Sequence, residues 1–157
     1  MRRLLGKILP VLAITTLVVF GADNSLGTWK LNVEKSKYTP GPVPIKSLTV
    51  MREASDGGVK VTTNGERADG TKINTSYTAK YDGTAAMVTG DGVLYDSISI
   101  KQVNANTLTD ERKKTGGPYK AAAHTVISND GKTMTLTAKG TAADGRPFTQ
   151  TLVFEKQ

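Results

Sequence analysis

The chain has 157 residues, with 21 Lys or Arg, 14 Asp or Glu, one His and no Cys. This length suits one domain and leaves little room for two. The lack of cysteine excludes a disulfide framework, a thiolate nucleophile and a cysteine-ligated metal centre. The single histidine, His124, excludes a site built from several histidines. A charged fraction of 22% beside 38% hydrophobic residues is typical of a folded domain rather than a disordered chain.

The first 21 residues have the pattern of a secretory signal peptide. Three basic residues, the last of them Lys7, precede an apolar run over 8–20, and small residues follow at Gly21 and Ala22. A bilayer-spanning helix needs about 20 apolar residues, so this run is short for a permanent anchor. We therefore predict cleavage before Ala22 or Asp23 and a periplasmic or secreted protein with no stable membrane anchor. The adjacent arginines near the start also fit the twin-arginine route, but the general secretory route is favoured.

The charge that remains after cleavage is modest. Removing the first 21 residues takes away three basic residues and no acid, so the formal net charge falls from +7 to +4. Such a charge helps solubility and only weakly favours acidic partners. Nucleic acid is not an expected partner, because aromatic residues are few and the one dense basic run, 112–114, is typical of a solvated strand. We expect a monomer that binds a small apolar molecule or another protein.

Beyond the signal peptide, apolar and polar residues alternate with a period of two, which indicates β-strands. Six Asp-Gly pairs favour tight turns, since glycine accepts a positive φ and aspartate bonds the local backbone. Among them, Gly70 and Gly145 close two similar sequences, 65–70 and 140–145, and are predicted in left-handed conformations. Ten strands are predicted, at 27–34, 45–53, 58–65, 72–81, 85–90, 94–102, 106–114, 118–128, 132–140 and 147–156.

One connection differs from a hairpin. Residues 35–44 carry three alternating prolines, at Pro40, Pro42 and Pro44, which favour extended, polyproline-like backbone. We expect this segment to form an ordered strap across one end of the fold. Many short antiparallel strands joined by tight turns require a sandwich or a closed barrel. We predict an all-β fold: a single domain over 22–157, folded as an antiparallel up-and-down barrel of about 8–10 strands.

Two short segments carry a resemblance to a known superfamily. Gly27-Thr28-Trp29 resembles the Gly-x-Trp signature of the calycins, which include the lipocalins and the fatty-acid-binding proteins. Residues 153–156 are similar to the end of the intracellular lipid-binding proteins, and the Asp-Gly-Lys turn at 130–132 sits where those proteins have one. The resemblance implies a small exported bacterial lipocalin-like protein whose barrel binds a small apolar or amphipathic molecule.

Two departures from that superfamily bear on the ligand. The proline-rich strap stands where lipid-binding proteins carry a two-helix lid. Leu152 and Phe154 stand where those proteins carry an Arg-x-Tyr pair that holds a ligand carboxylate. The resemblance therefore implies a neutral ligand rather than a fatty acid, unless Lys101 or Arg112 points inward.

The candidate ligand-binding residues lie on two predicted strands. Tyr77 and Tyr81 share a face of one strand, and either present their hydroxyls to a cavity or pack outside. Gln150, Leu152 and Phe154 share a face of the last strand. With Gly27, Trp29 forms the structural signature, and it is expected to be a buried plug rather than a stacking platform for a ligand.

No pattern of catalytic residues is complete. His124 lies in an alanine-rich strand with no Gly-x-Ser-x-Gly elbow anywhere in the chain. Asp110 and Glu111 are adjacent on a strand and face opposite sides. We therefore expect no enzymatic activity, no cofactor and no metal. A binding barrel is the first hypothesis. The alternative is a protein-interaction barrel, such as an exported inhibitor or envelope accessory domain, with a filled interior and a working loop at 35–44; the interior volume discriminates between them.

Overall fold

A computed structural model describes residues 21–157, so the predicted signal peptide, except for its last residue, lies outside the described residues. The described part is all-β and contains eleven strands. No helix in residues 21–157 is long and apolar enough to cross a lipid bilayer. The strands are β1 (Gly27–Thr39), β2 (Ile45–Ser55), β3 (Gly58–Arg67), β4 (Lys72–Lys80), β5 (Asp82–Met87), β6 (Thr89–Asp91), β7 (Ser97–Asn104), β8 (Thr107–Lys113), β9 (Lys120–Ile127), β10 (Thr133–Thr141) and β11 (Pro147–Lys156).

The strands form one antiparallel sheet that curls into a nearly closed barrel. Their order is β5-β7-β8-β9-β10-β11-β1-β2-β3-β4-β6, so the first and last long strands are neighbours. The barrel is incompletely closed between the two ends of this order, where β4 and β6 approach β5 and β7; we call this place the seam. Tyr81 connects β4 to β5 across the seam. Contacts of β4 with β5 and with β7 bring the two edges of the sheet together. The predicted all-β antiparallel barrel is confirmed, with eleven strands in place of about 8–10.

The core lies inside the barrel because alternate residues of each strand point inward. Strand β9 shows the pattern without interruption, since buried and exposed residues alternate along its whole length. Trp29 is completely buried, as predicted. The other large apolar side chains of the core include Leu31, Val59, Ile98, Ile127, Leu136 and Phe154.

The first strand is longer than the sequence predicts. It continues to Thr39 through an irregularity between Asn32 and Lys37 in its pairing with β11. Ser36 bridges this bulge: its Oγ donates to the carbonyl of Asn32 at 2.7 Å and accepts from the amide of Val153 at 3.0 Å. The predicted strap at 35–44 is therefore wrong over 35–39, because a bulge lets the strand resume pairing. Only 40–44 is irregular.

The predicted strand at 85–90 is also two strands. Its first part belongs to β5, which pairs with β7, and its last part belongs to β6, which pairs with β4 on the other side of the seam. Between them, the Val88 side chain is buried, and its amide donates to the carbonyl of Asp96 at 3.0 Å.

The Asp-Gly turns behave as predicted in the two similar hairpins. Gly70 and Gly145 have φ angles of 88° and 84°, in the left-handed region. In each turn the aspartate Oδ1 accepts the amide two residues later, at 2.9 Å from Thr71 and 3.0 Å from Arg146. Both turns lie at the same end of the barrel, since Arg67 and Ala142 beside them line one cavity.

Candidate functional site

One end of the barrel, the base, is closed by the segment 21–26. The two carboxylate oxygens of Asp23 accept different donors: Oδ1 accepts the amide of Ser25 at 2.9 Å and its hydroxyl at 2.6 Å, and Oδ2 accepts the Tyr81 hydroxyl. The indole Nε1 of Trp29 donates to the Ser25 carbonyl at 2.8 Å. Burial, together with the Asp23 carboxylate, raises the pKa of Tyr81, so its phenol stays a donor. Side chains thus hold the segment against the base.

The opposite end, the open end, carries an aromatic wall. Tyr38 stacks on Phe148 with ring centroids 5.7 Å apart, and Tyr119 stacks on both Phe148 and Tyr95 at 6.0 Å. The Arg112 guanidinium carbon lies 5.2 Å from the centre of the Tyr95 ring, in cation–π geometry. These four rings form a continuous aromatic surface at the mouth of the barrel.

Two adjoining cavities lead inward from this wall. The outer cavity, of about 140 Å³, lies between the aromatic wall, Pro44 and Ile45. The inner cavity, of about 100 Å³, lies inside the barrel and is lined by eight aliphatic, three aromatic and five polar or charged side chains. The residues that line both are Leu48, Thr63, Tyr95, Arg112 and Leu152.

Charged groups line these cavities, which is unusual for a barrel interior. Asp110 and Arg112 lie two residues apart on β8, so both face inward, and they form a two-point ion pair with distances of 2.6 Å from Nε to Oδ1 and 3.2 Å from Nη2 to Oδ2. Burial opposes the charge of Arg112, but Asp110 and neighbouring groups outweigh it and raise its pKa. This guanidinium is therefore charged and matched by a carboxylate.

A second arginine inside the barrel is only partly matched. Arg52 is 9% exposed and lines the inner cavity. Its Nε donates to the Ser25 hydroxyl at 3.1 Å, whereas its Nη2 is buried and has no acceptor among the described residues. At the mouth, Arg67 donates to the carbonyl of Gly92 through Nε at 3.2 Å and Nη2 at 2.6 Å.

Four of the five predicted ligand-binding residues lie on the cavity walls. Leu152 lines both cavities, Gln150 the outer one, and Tyr77 and Phe154 the inner one. The structure places Tyr81 elsewhere, at the base, where its hydroxyl is bound to Asp23. Burial raises the pKa of Tyr77 well above its ordinary value, which keeps its hydroxyl protonated.

Trp29 and the two basic residues singled out from the sequence have distinct positions. Trp29 lines neither cavity and packs in the core, with the Lys156 ammonium 5.1 Å from its ring centre. Arg112 points inward, whereas Lys101 is exposed on the outer surface. His124 is likewise exposed, in a groove of about 620 Å³ on the outside of the barrel. Within residues 21–157, no three His, Asp or Glu side chains are grouped so that they could hold a metal.

The sequence interpretation missed Arg52 and the aromatic wall. A signal for Arg52 existed, because it continues the inward alternation of Leu48 and Val50 along β2. A charged residue on the same face of a strand as apolar residues indicates either the end of that strand or a functional group inside the fold. The wall carried no comparable signal, since Tyr38, Tyr95 and Tyr119 come from separate segments that only the barrel brings together.

The comparisons with known proteins assign no family to the chain. No protein-family model matches it, and the search of curated proteins found no match. The nearly closed antiparallel barrel is compatible with a calycin-like fold.

Proposed function

We propose that this chain is an exported, lipocalin-like, non-enzymatic binding protein whose two adjoining cavities hold a small amphipathic molecule. The observation that carries the proposal is the aromatic-walled opening that adjoins an interior cavity containing hydrogen-bonding groups. Ligand sites commonly combine a mainly apolar lining with a few placed polar groups. Here the apolar part comes from side chains such as Leu48 and Leu152, and the polar part from Tyr77, Gln150 and the arginines.

The cavity volumes limit the size of the ligand. A drug-sized molecule occupies a pocket of about 300 Å³ or more, whereas the outer and inner cavities measure about 140 and 100 Å³. An apolar protein cavity of about 150 Å³ is large enough to bind benzene. A molecule with one ring, or a short chain, therefore fits this barrel better than a long-chain lipid.

The open end supports entry of an aromatic ligand. The stacked rings of the aromatic wall line the outer cavity, and a ligand ring can pack against them because aromatic pairs favour offset-stacked or edge-to-face contact. The exposed segment 40–42 stands beside the outer cavity, so the mouth is bordered by short irregular backbone and not by a helical lid. A single ring can therefore approach the wall without displacing an element of secondary structure.

The test is an amide NMR titration of the mature protein with single-ring amphiphiles, using benzyl alcohol and phenylacetate as probes. We expect shifts confined to residues around the two cavities. Gln150→Trp, which adds bulk at the outer cavity, should block binding. Thr149→Trp is the matched control, because the adjacent side chain is exposed on the other face of β11. Absence of shifts with both probes, or shifts spread over the outer surface, would contradict the proposal.

The alternative is a protein-interaction barrel, and two observations favour it. The cavities are small, and a few large apolar side chains face solvent: Met87 is 76% exposed and Val103 61%. If the interior accepts neither probe, an exported inhibitor or envelope accessory role becomes the better explanation. Affinity capture with the mature protein, and loss of the captured partner on Met87→Ser, would then support it.

A further inference from the structure

We propose that the ligand of this barrel is an anion, specifically a small monocarboxylate, whose carboxylate is anchored by the free Nη2 of Arg52. This inference rests on the proposed function and specifies the charge of the bound molecule. It starts from the one buried side-chain nitrogen without an acceptor in residues 21–157, which belongs to Arg52. A charged donor that has lost its water and gained no acceptor is costly, so an acceptor from a ligand would be strongly favoured.

Asp110, which lines the same cavity as Arg52, and Asp23, which is linked to it through Ser25, are both already engaged. Asp110 forms the two-point pair with Arg112. Asp23 is connected to Arg52 only through Ser25: the Ser25 hydroxyl accepts a hydrogen bond from the Arg52 Nε and donates one to Asp23. The Ser25 hydroxyl therefore stands between the guanidinium and that carboxylate, and the free Nη2 gains no bond from either acid.

The charges on the cavity walls leave an excess of positive charge. Arg52 and Arg112 line the inner cavity and Arg67 the outer one, while Asp110 is the only acid that residues 21–157 contribute to either wall. An excess of positive charge in a site with little water attracts an anion more strongly than it would at the surface. A neutral ligand can supply a hydrogen-bond acceptor, but it leaves the positive charge of Arg52 unmatched.

The neighbouring side chains suit a carboxylate. Arg52 pairs in register with Val61, and Val61 with Tyr77, so the guanidinium and the phenol lie in one row across β2, β3 and β4. Both side chains line the inner cavity, and the raised pKa of Tyr77 keeps its hydroxyl a donor. A planar carboxylate accepts hydrogen bonds from a guanidinium and a hydroxyl together, and charge-assisted bonds of this kind are the stronger ones.

This arrangement reverses the expectation drawn from β11. Leu152 and Phe154 indeed bring no charge to the interior, and both line the inner cavity. The sequence-based expectation of a neutral ligand held only if no other basic residue pointed inward. Arg112 does point inward, and Arg52 supplies the unmatched donor, so the means of binding an acid lie on β2 and β8.

The test compares phenylacetate with phenylacetamide, which has nearly the same shape but no charge. Calorimetric titration of the mature protein at neutral pH should show the acid binding at least tenfold more tightly. Arg52→Met keeps the apolar part of the side chain near the backbone and removes the guanidinium, and it should abolish this preference by weakening the binding of the acid far more than that of the amide. Arg52→Lys keeps the positive charge but lacks the planar guanidinium with its two parallel donors, so it should retain part of the preference for the acid. The control is Lys60→Met, which removes an exposed positive charge from the neighbouring β3 and should leave the preference intact.

The outcomes separate this inference from the proposed function. Equal binding of the acid and the amide would overturn the inference and leave the binding function standing. A preference for the acid that survives Arg52→Met would also overturn it. No binding of either compound to the folded protein would overturn the proposed function itself. Amide spectra of each variant establish that it is folded before its titration is interpreted.

Discussion

The two ends of the barrel use polar side chains for opposite purposes. At the base, Asp23, Ser25 and Tyr81 satisfy one another, and Trp29 is bonded to the same segment, so little is left to bind anything else. At the open end, stacked rings border a cavity. A polar group inside a barrel is therefore available to a ligand only when its own hydrogen bonds are incomplete.

The two interior arginines show the same contrast within one cavity. Arg112 has a carboxylate partner on its own strand and an aromatic ring beside it, so its charge is compensated within the protein. Arg52 has a hydroxyl on one nitrogen and no acceptor on another. Replacing Arg112 should therefore act mainly on stability, because it leaves the buried Asp110 carboxylate without its ion-pair partner. Replacing Arg52 should act mainly on the preference between ligands.

The largest expected effect is at the base. Trp29→Ala should lower the free energy of unfolding by about 3–5 kcal/mol, because it removes a fully buried ring and its hydrogen bond. That is a large part of the 5–15 kcal/mol typical of a domain. Denaturant unfolding followed by circular dichroism measures it. Tyr38→Ala, at the half-buried edge of the aromatic wall, is the control and should cost less. Equal losses would remove the distinction between the two ends.

A smaller effect should separate two glycines with positive φ. Gly27, near the base, has φ 120°, and a Cβ there would lie 2.8 Å from Cε of Lys156. Gly145, at the open end, has φ 84°, and a Cβ would meet nothing within 4 Å. Gly145→Ala should cost roughly 1–2 kcal/mol from the backbone alone. Gly27→Ala should cost more, because a φ of 120° lies farther from the left-handed region that other residues can enter, while the flexible end of Lys156 can move aside at little cost. The order of the two unfolding midpoints checks this, and the reverse order would contradict it.

The smallest effect concerns an ion cluster near the open end. Glu66 accepts from Lys72 and from Lys46, the latter at 2.9 Å, and these bonds lower its pKa to about 2. A lowered carboxylate pKa contributes stability above the ordinary value of 4.5, and this contribution is lost as the pH falls towards 2. Because the cluster is at the surface, the effect on the unfolding midpoint should be slight. Carbon-detected NMR titration of Glu66 checks the pKa, and Lys72→Ala should raise it; titration near 4.5 in the parent would contradict the cluster.

Local rules were enough to predict most of the fold. Period-two alternation located the inward faces, which is why Tyr77, Gln150, Leu152 and Phe154 lie on cavity walls. Glycine after aspartate marked left-handed positions correctly at Gly70 and Gly145. The extension of β1 was missed because a bulge depends on a partner, here the Val153 amide bonded to Ser36, that lies more than a hundred residues away.

The candidate site was only half predictable for a similar reason. The position of a residue on an inward face follows from its own strand, but the completeness of its hydrogen bonds does not. Tyr81 follows the alternation that predicts an inward side chain, but its hydroxyl is already bonded to Asp23. Asp23 belongs to a segment whose sequence has no recognisable pattern. The importance of Arg52 rests on what surrounds its Nη2, and no short-range signal reports that.

The pairing of the first strand with the last has a consequence for the time course of folding. Trp29 lies opposite Lys156 across β1 and β11, so the core around the indole cannot be completed until β11 is in place. Bringing two distant segments together costs loop-closure entropy before any contact between them forms. For this reason β proteins rich in distant contacts fold in milliseconds to seconds. The barrel therefore cannot close until β1 has paired with β11, which is a necessary step between two strands that are far apart in the sequence.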